Sequence, residues 1–212
     1  VSDLSMLMQN FRAAVEHGDF SLLMQARGRK VETIARVDEF VESPYFMNQK
    51  NHVRPPVLEA LWEFFHGEHS GTYIECALGG SIGWGKSYFS EMAVAYQLYK
   101  LSCFHSPQIE FGLAPGSSMF FIFQSLRQEQ AKKVLFEQFA AKIRESPYFM
   151  EHFPFDPRVK SELRFPCSVS IVPVSSADTA AIGMNVFGGV LDEMNFMDKV
   201  ANSSRSGQGE QV

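Results

Sequence analysis

The chain has 212 residues, enough for one sizeable core with a small helical appendage. A composition of 45% apolar and 20% charged residues fits a globular fold, and a formal net charge of −5 argues against a nucleic-acid-coating domain, leaving room only for a local basic stripe. Cys76, Cys103 and Cys167 are too widely spaced for a zinc motif or a disulfide framework, so a reducing compartment is expected; with neither an eighteen-residue apolar run nor a signal-peptide pattern, no membrane span is expected.

Residues 1–50 predict helices. Leu4, Leu7, Met8 and Phe11 share one short apolar face, and Val31, Ile34, Val37, Phe40 and Val41 share another. No strand candidate occurs here, so a helical lead-in packed on the main core is expected. Arg54-Pro55-Pro56 breaks the chain. Val57, Leu58, Leu61, Trp62 and Phe65 then follow at helical spacing, with Pro56 well placed at the helix start. His66 to Gly71 ends that helix, and Thr72 to Leu78 reads as a strand.

Next comes Gly80-Ser81-Ile82-Gly83-Trp84-Gly85-Lys86-Ser87, which matches the P-loop pattern with Gly80, Gly85, Lys86 and Ser87 in register. Glycines let backbone N–H groups turn inward around phosphate oxygens, and the following helix adds its positive end. Lys86 would reach the outer phosphates and Ser87 would ligate magnesium. The competing reading is a glycine-rich turn with an ordinary surface lysine. From Tyr88 to roughly Phe104, Phe89, Met92, Ala93, Ala95, Tyr96, Leu98 and Tyr99 leave little polar surface, which predicts a buried central helix.

Pro107 marks the helix exit. Met119 to Phe123 is a continuous apolar run, expected as a buried parallel strand. Ser125 and Gln128 form a capping box for a helix with Ala131, Leu135, Phe139 and Ile143 on one face. Ser168 to Ser175 largely alternates polar and apolar residues, and Pro173 places it near an edge or ends it early. Gly188 to Leu191 predicts a short strand ending in Asp192 and Glu193. Asp192 suits magnesium together with Ser87, and Glu193 suits polarising the attacking water. The bland alternative is an acidic pair in a solvated turn. Residues 201–212 are nearly free of apolar side chains and read as a flexible tail or linker.

One motif occurs twice: Glu42-Ser43-Pro44-Tyr45-Phe46-Met47 and Glu145-Ser146-Pro147-Tyr148-Phe149-Met150. A proline-stopped helix exit whose aromatic residues tuck against the core accounts for both copies. Adenine stacking by Tyr45 or Phe46 is the functional alternative.

The intervening segments extend the likeness beyond a generic P-loop. They are Gly112-Leu113-Ala114-Pro115-Gly116-Ser117, Gln130-Ala131-Lys132-Lys133-Val134-Leu135-Phe136, Ala180 to Asn185, and Gly189 to Phe196. In this order, over roughly residues 50 to 200, the chain resembles the N-terminal ATPase domain of the large terminase subunit of tailed bacteriophages. The resemblance implies an α/β P-loop NTPase fold with a mainly parallel central sheet flanked by helices, of the additional-strand, catalytic-glutamate type. It divides the chain into a helical lead-in (1–50), an ATPase domain (51–200) and a tail (201–212).

The same resemblance implies ATP and Mg2+ as cofactors, with Gly80 to Ser87 cradling the phosphates. Lys86 and Glu193 would be catalytic, and Ser87 and Asp192 would hold the metal. Implied partners are double-stranded DNA, a portal protein and a small terminase subunit. The assembled form would be a homo-oligomeric ring in the host cytoplasm at the procapsid portal, and the isolated chain can be a monomer. A nuclease domain is expected in the full-length protein, not in these residues. Family members often carry an arginine where Ile82 stands, so Arg127, Arg144, Arg158, Arg164 and Arg205 are candidates for a finger in cis or trans. Other classes consistent with the motifs are a helicase-like translocase, a small-molecule or nucleotide kinase, and a nucleotide-gated interaction protein with a phenylalanine-rich surface.

Overall fold

The computed structural model describes residues 33–81, 83–125, 136–175 and 183–192. Expectations for Leu4, Leu7, Met8, Phe11, Val31, Gln128, Ala131, Leu135 and the tail lie outside these residues.

Helix α1, Val37–Glu42, buries Val37, Phe40 and Val41, the apolar face read from their spacing. Helix α2, Pro55–His66, opens on a proline at its first turn, where a missing N–H loses no helical hydrogen bond. It buries Val57 and Leu61. A 3-10 turn at Ser70–Thr72 follows.

The run Thr72 to Leu78, expected as a strand, is not one: residues 73–80 have no regular structure and Ile74 is 99% exposed. Its composition suits a strand, but a strand exists only where a neighbour completes the ladder. None of the four described strands pairs with it.

Helix α3, Lys86–Ser102, buries side chains all round, including Phe89, Met92, Ala95, Tyr96, Leu98 and Tyr99. A helix of that kind belongs at the centre of a core. A short helix α4, Pro107–Glu110, leads out. Strand β1, Met119–Ser125, buries every second residue. Helix α5, Glu137–Glu145, packs through Phe139, Ala140 and Ile143. Helix α6, Pro147–His152, is capped by the Ser146 hydroxyl, which accepts from the Phe149 N–H. Strands β2, Leu163–Phe165, β3, Val169–Ser175, and β4, Val186–Leu191, complete the described chain.

The strand order is β2-β3-β1-β4. Both β3 and β4 run parallel to β1, and β2 is antiparallel to β3. The fold is therefore α/β, a mostly parallel sheet flanked by helices. Pro173 on β3 stands opposite Phe123, beyond Val169–Ile171 where β2 pairs. At that point β3 is an edge on its β2 side, so the missing N–H breaks no ladder. Gly189 has a steric reason: a Cβ there would run into the backbone carbonyl of Ile122 on β1.

Aromatic rings dominate the interior. Phe40 stacks on Tyr99 at 5.0 Å and meets Phe46 and Tyr96 at 5.5 and 5.4 Å. Glu91, buried on α3, is paired with the partly exposed Lys142 at the edge of this core. Lys142 on α5 donates to Glu91 Oε2 on α3 at 2.6 Å. The other oxygen, Oε1, is buried without a hydrogen-bond partner. Burial pushes the Glu91 carboxyl above its usual range, against the opposing pull of Lys142.

Candidate functional site

The glycine loop leads directly into α3, with Gly85 at the helix N-cap in the left-handed region, φ 105°. Gly80 and Gly83 also have positive φ, 140° and 84°. An L side chain at any of the three would strain the turn. A Cβ on Gly80 or Gly83 would meet no atom within 4 Å. Conformation, not crowding, therefore demands glycine at those two positions.

Lys86 folds back over the loop. Its Nζ donates to the carbonyl oxygens of Gly80 and Ser81, both at 2.9 Å. The cation thus sits inside the turn, held by acceptors that phosphate oxygens can replace. The Trp84 N–H reaches the Ser81 carbonyl at 3.4 Å, a long and weak contact. Ser87, on the first turn of α3, is exposed.

The outer side of the loop rests on α2. A Cβ on Gly85 would come 3.0 Å from Val57 Cγ2. Arg54, immediately before Pro55, donates from Nη1 to the Gly83 carbonyl. Sequence reasoning passed over Arg54, since one arginine before two prolines has no period or motif spacing. Its contact spans 29 positions.

Asp192 lies just past β4, half-buried, and its N–H continues the ladder to the Gln124 carbonyl at 2.8 Å. Three contacts orient α3 over this strand. A Cβ on Gly188 would approach Gln97 Oε1 to 2.8 Å. Phe104, just past α3, packs on Phe111, and Phe111 packs on Phe187 at the start of β4. The C-terminal end of α3 is therefore near the beginning of β4, and the helix runs antiparallel to the strand. From Gln97 back to Ser87 is about 15 Å of helix, and from Gly188 on to Asp192 about 13 Å of strand. Ser87 and Asp192 thus arrive at the same end of the sheet.

A hydroxyl and an ammonium at a glycine turn, with a carboxylate at the same end of the sheet, are chemically suitable donors for a magnesium-bound polyphosphate. Ile82 and Glu193 lie outside the described residues. Among those residues no group of three or more His, Cys, Asp or Glu gathers as a metal site, and no helix is long and apolar enough to cross a membrane.

The described arginines singled out from sequence are engaged elsewhere. Arg144 lies over the Phe155 ring at 5.3 Å, Arg158 sits 3.8 Å from Asp156, and Arg164 pairs with Glu162 at 2.5 Å. Arg164 is on β2, across the sheet from β4. Arg127 and Arg205 lie outside the described residues. Tyr45, the alternative adenine platform, bonds His152 through its hydroxyl at 2.6 Å and packs against Phe46 and Tyr148.

No curated protein and no solved structure matches the chain. A family profile described as "Uncharacterized protein MJ0330, N-terminal P-loop domain" matches residues 28–204, most of the chain. The match covers well over half of the chain, which therefore belongs to that P-loop family.

Proposed function

We propose that the domain is a magnesium-dependent ATP phosphohydrolase, the ATPase motor of a large-terminase-type machine that moves double-stranded DNA into a preformed capsid. The observation that carries the nucleotide reading is the loop Gly80 to Ser87 opening α3, with Asp192 at the same end of the sheet. The packaging reading rests on the terminase-like order of the segments between these motifs. It brings with it a portal protein, a small terminase subunit and a homo-oligomeric ring.

Bound Mg-ATP supplies the phosphoanhydride and the metal charge that draws electrons from it. In this reading the Lys86 ammonium leaves the Gly80 and Ser81 carbonyls and follows the outer phosphates. Ser87 Oγ and an Asp192 carboxylate oxygen would hold the metal. The Glu193 carboxylate takes a proton from the attacking water, giving ADP and inorganic phosphate. Loop N–H groups and Lys86 offset the charge that develops on the transferred group.

Phosphate release from Mg-ATP, measured with and without double-stranded DNA and a portal protein, tests this reading. Release that Glu193→Gln abolishes, and that portal and DNA raise, is the expected result. Steady release by Glu193→Gln at the parent rate would show that another residue is the base. Stimulation by single-stranded DNA alone would favour a helicase-like translocase.

A further inference from the structure

We propose that Arg54 is a positioning residue of the phosphate loop: by holding the Gly83 carbonyl on the outer side, it turns the Trp84 N–H toward the side where phosphate binds. This rests on the nucleotide reading above. The two groups belong to one peptide unit. In a trans peptide the C=O and the following N–H point in opposite directions. With the Gly83 oxygen drawn out to the guanidinium, the Trp84 N–H must face inward. It does so, meeting the Ser81 carbonyl at 3.4 Å. That same carbonyl accepts from Lys86 Nζ, so the Trp84 N–H and the Lys86 ammonium share the inner side of the loop.

The loop is gripped by two cations from opposite sides, and they differ in kind. Lys86 bonds to carbonyls that a phosphate would displace. Arg54 bonds to a carbonyl that a phosphate has no reason to approach, and its grip persists when the site fills. A glycine at positive φ, such as Gly83 at 84°, has little preference of its own between loop conformations, so an external restraint is needed to select one.

Arg54 is well mounted for this task. Its own carbonyl accepts from Val57 N at 2.9 Å and Leu58 N at 3.1 Å, fixing it to the first turn of α2. That turn abuts the loop through Val57 and Gly85, and Phe64 on α2 packs edge-on against Phe89 on α3 at 6.2 Å. Among the described residues no carboxylate pairs with Arg54, so the Gly83 oxygen has no rival for it. The residue is exposed, so shortening it removes no core contact.

The test is calorimetric titration of the chain and its Arg54→Ala, Arg54→Lys and Lys86→Ala variants with Mg-ATP and with Mg-ADP. Thermal unfolding without nucleotide is measured in parallel. A charge-assisted hydrogen bond that preorganises the loop predicts a loss of about tenfold in Arg54→Ala. The loss should be equal for the two nucleotides, since the loop holds phosphates common to both. Arg54→Lys, which restores a single donor, should recover most of it, with all melting temperatures unchanged.

Three results would overturn the proposal while leaving the site intact. One is parent affinity in Arg54→Ala when Lys86→Ala has lost binding. Another is a loss for Mg-ATP alone, which would mean direct contact with the last phosphate. The third is a loss that tracks a lower melting temperature. Failure of the parent chain to bind Mg-ATP at all would instead reject the nucleotide reading itself.

Discussion

The backbone N–H of Tyr148 donates to the carbonyl of Tyr45 at 3.0 Å. The two copies of Glu-Ser-Pro-Tyr-Phe-Met thus meet in space, 103 positions apart, and their rings interleave. Tyr148 lies 5.2 Å from Phe46 and 5.1 Å from Tyr99, and its hydroxyl bonds Ser102 at 2.8 Å. Truncating so central a ring opens a cavity. Tyr148→Ala should lose about 3–5 kcal/mol, and Tyr148→Phe about 1 kcal/mol, since Ser102 still bonds the Tyr99 carbonyl. Urea unfolding measures both, and nucleotide affinity of the Phe variant should match the parent.

Lys86→Ala should remove Mg-ATP binding or leave it very weak, because it removes the ammonium that bonds two loop carbonyls. Asp192→Asn should act differently. It keeps the shape but replaces a charged oxygen ligand by a neutral amide, so the magnesium concentration for half-maximal turnover should rise several-fold. A magnesium titration of phosphate release separates the two effects.

His66 predicts loss of stability in mild acid. Its Nε2 accepts from the Val37 N–H at 3.0 Å, at the first turn of α1, which requires a free lone pair. Burial, then the charges of Arg36 and Lys100 against Asp38, holds its pKa below 6.5. Below 6.5 the unfolded chain therefore takes up a proton that the folded chain refuses. The stabilisation is complete above 6.5 and is lost as pH falls through the folded pKa. Thermal unfolding from pH 7.5 to 5 should show the decline, and His66→Gln should flatten it.

Glu91 predicts the opposite slope. Its folded pKa is raised above 4.5, chiefly by burial. The folded state then holds a proton that the unfolded state has released, so this contribution is present below 4.5 and lost as pH rises through the folded value. Glu91→Gln should remove that component. Lys142→Met should extend it to higher pH, since the carboxylate would then be buried without its cation. Denaturant unfolding across pH 4 to 8 distinguishes the three proteins.

Arg144, Arg158 and Arg164 are each engaged away from the phosphate loop. If a neighbouring subunit supplies a finger, phosphate release per subunit should climb with protein concentration. A flat, fast rate across a wide dilution series from a strictly monomeric chain would place the finger in cis.

Elements whose reasons lie within a short window were legible in the sequence. The all-apolar face of α3, the run from Met119 to Phe123 and the glycine turn before Lys86 each encode themselves locally. Pro173 even signalled the point where β3 outruns β2. Thr72 to Leu78 was misread because strand identity depends on a partner, which composition does not reveal. Arg54 was missed for a related reason: its contact with Gly83 is created by the docking of α2 on the loop, not by any spacing. The meeting of the two repeated motifs was likewise invisible, since each copy explains itself as a helix exit.

The parallel register of the sheet sets an order on how the chain can reach this structure. Met119 pairs with Val169 and Phe120 with Val186, so each parallel ladder must close a loop of fifty residues or more. Closing such a loop costs about 3.5 kcal/mol of chain entropy before any ladder bond repays it. Among the described strands only β2 and β3 form a short-range pair. Local helices and the β2–β3 hairpin are thus expected to form before the two parallel ladders close. The strand end at Asp192 depends on the β1–β4 ladder, so a probe attached there would report on the finished sheet.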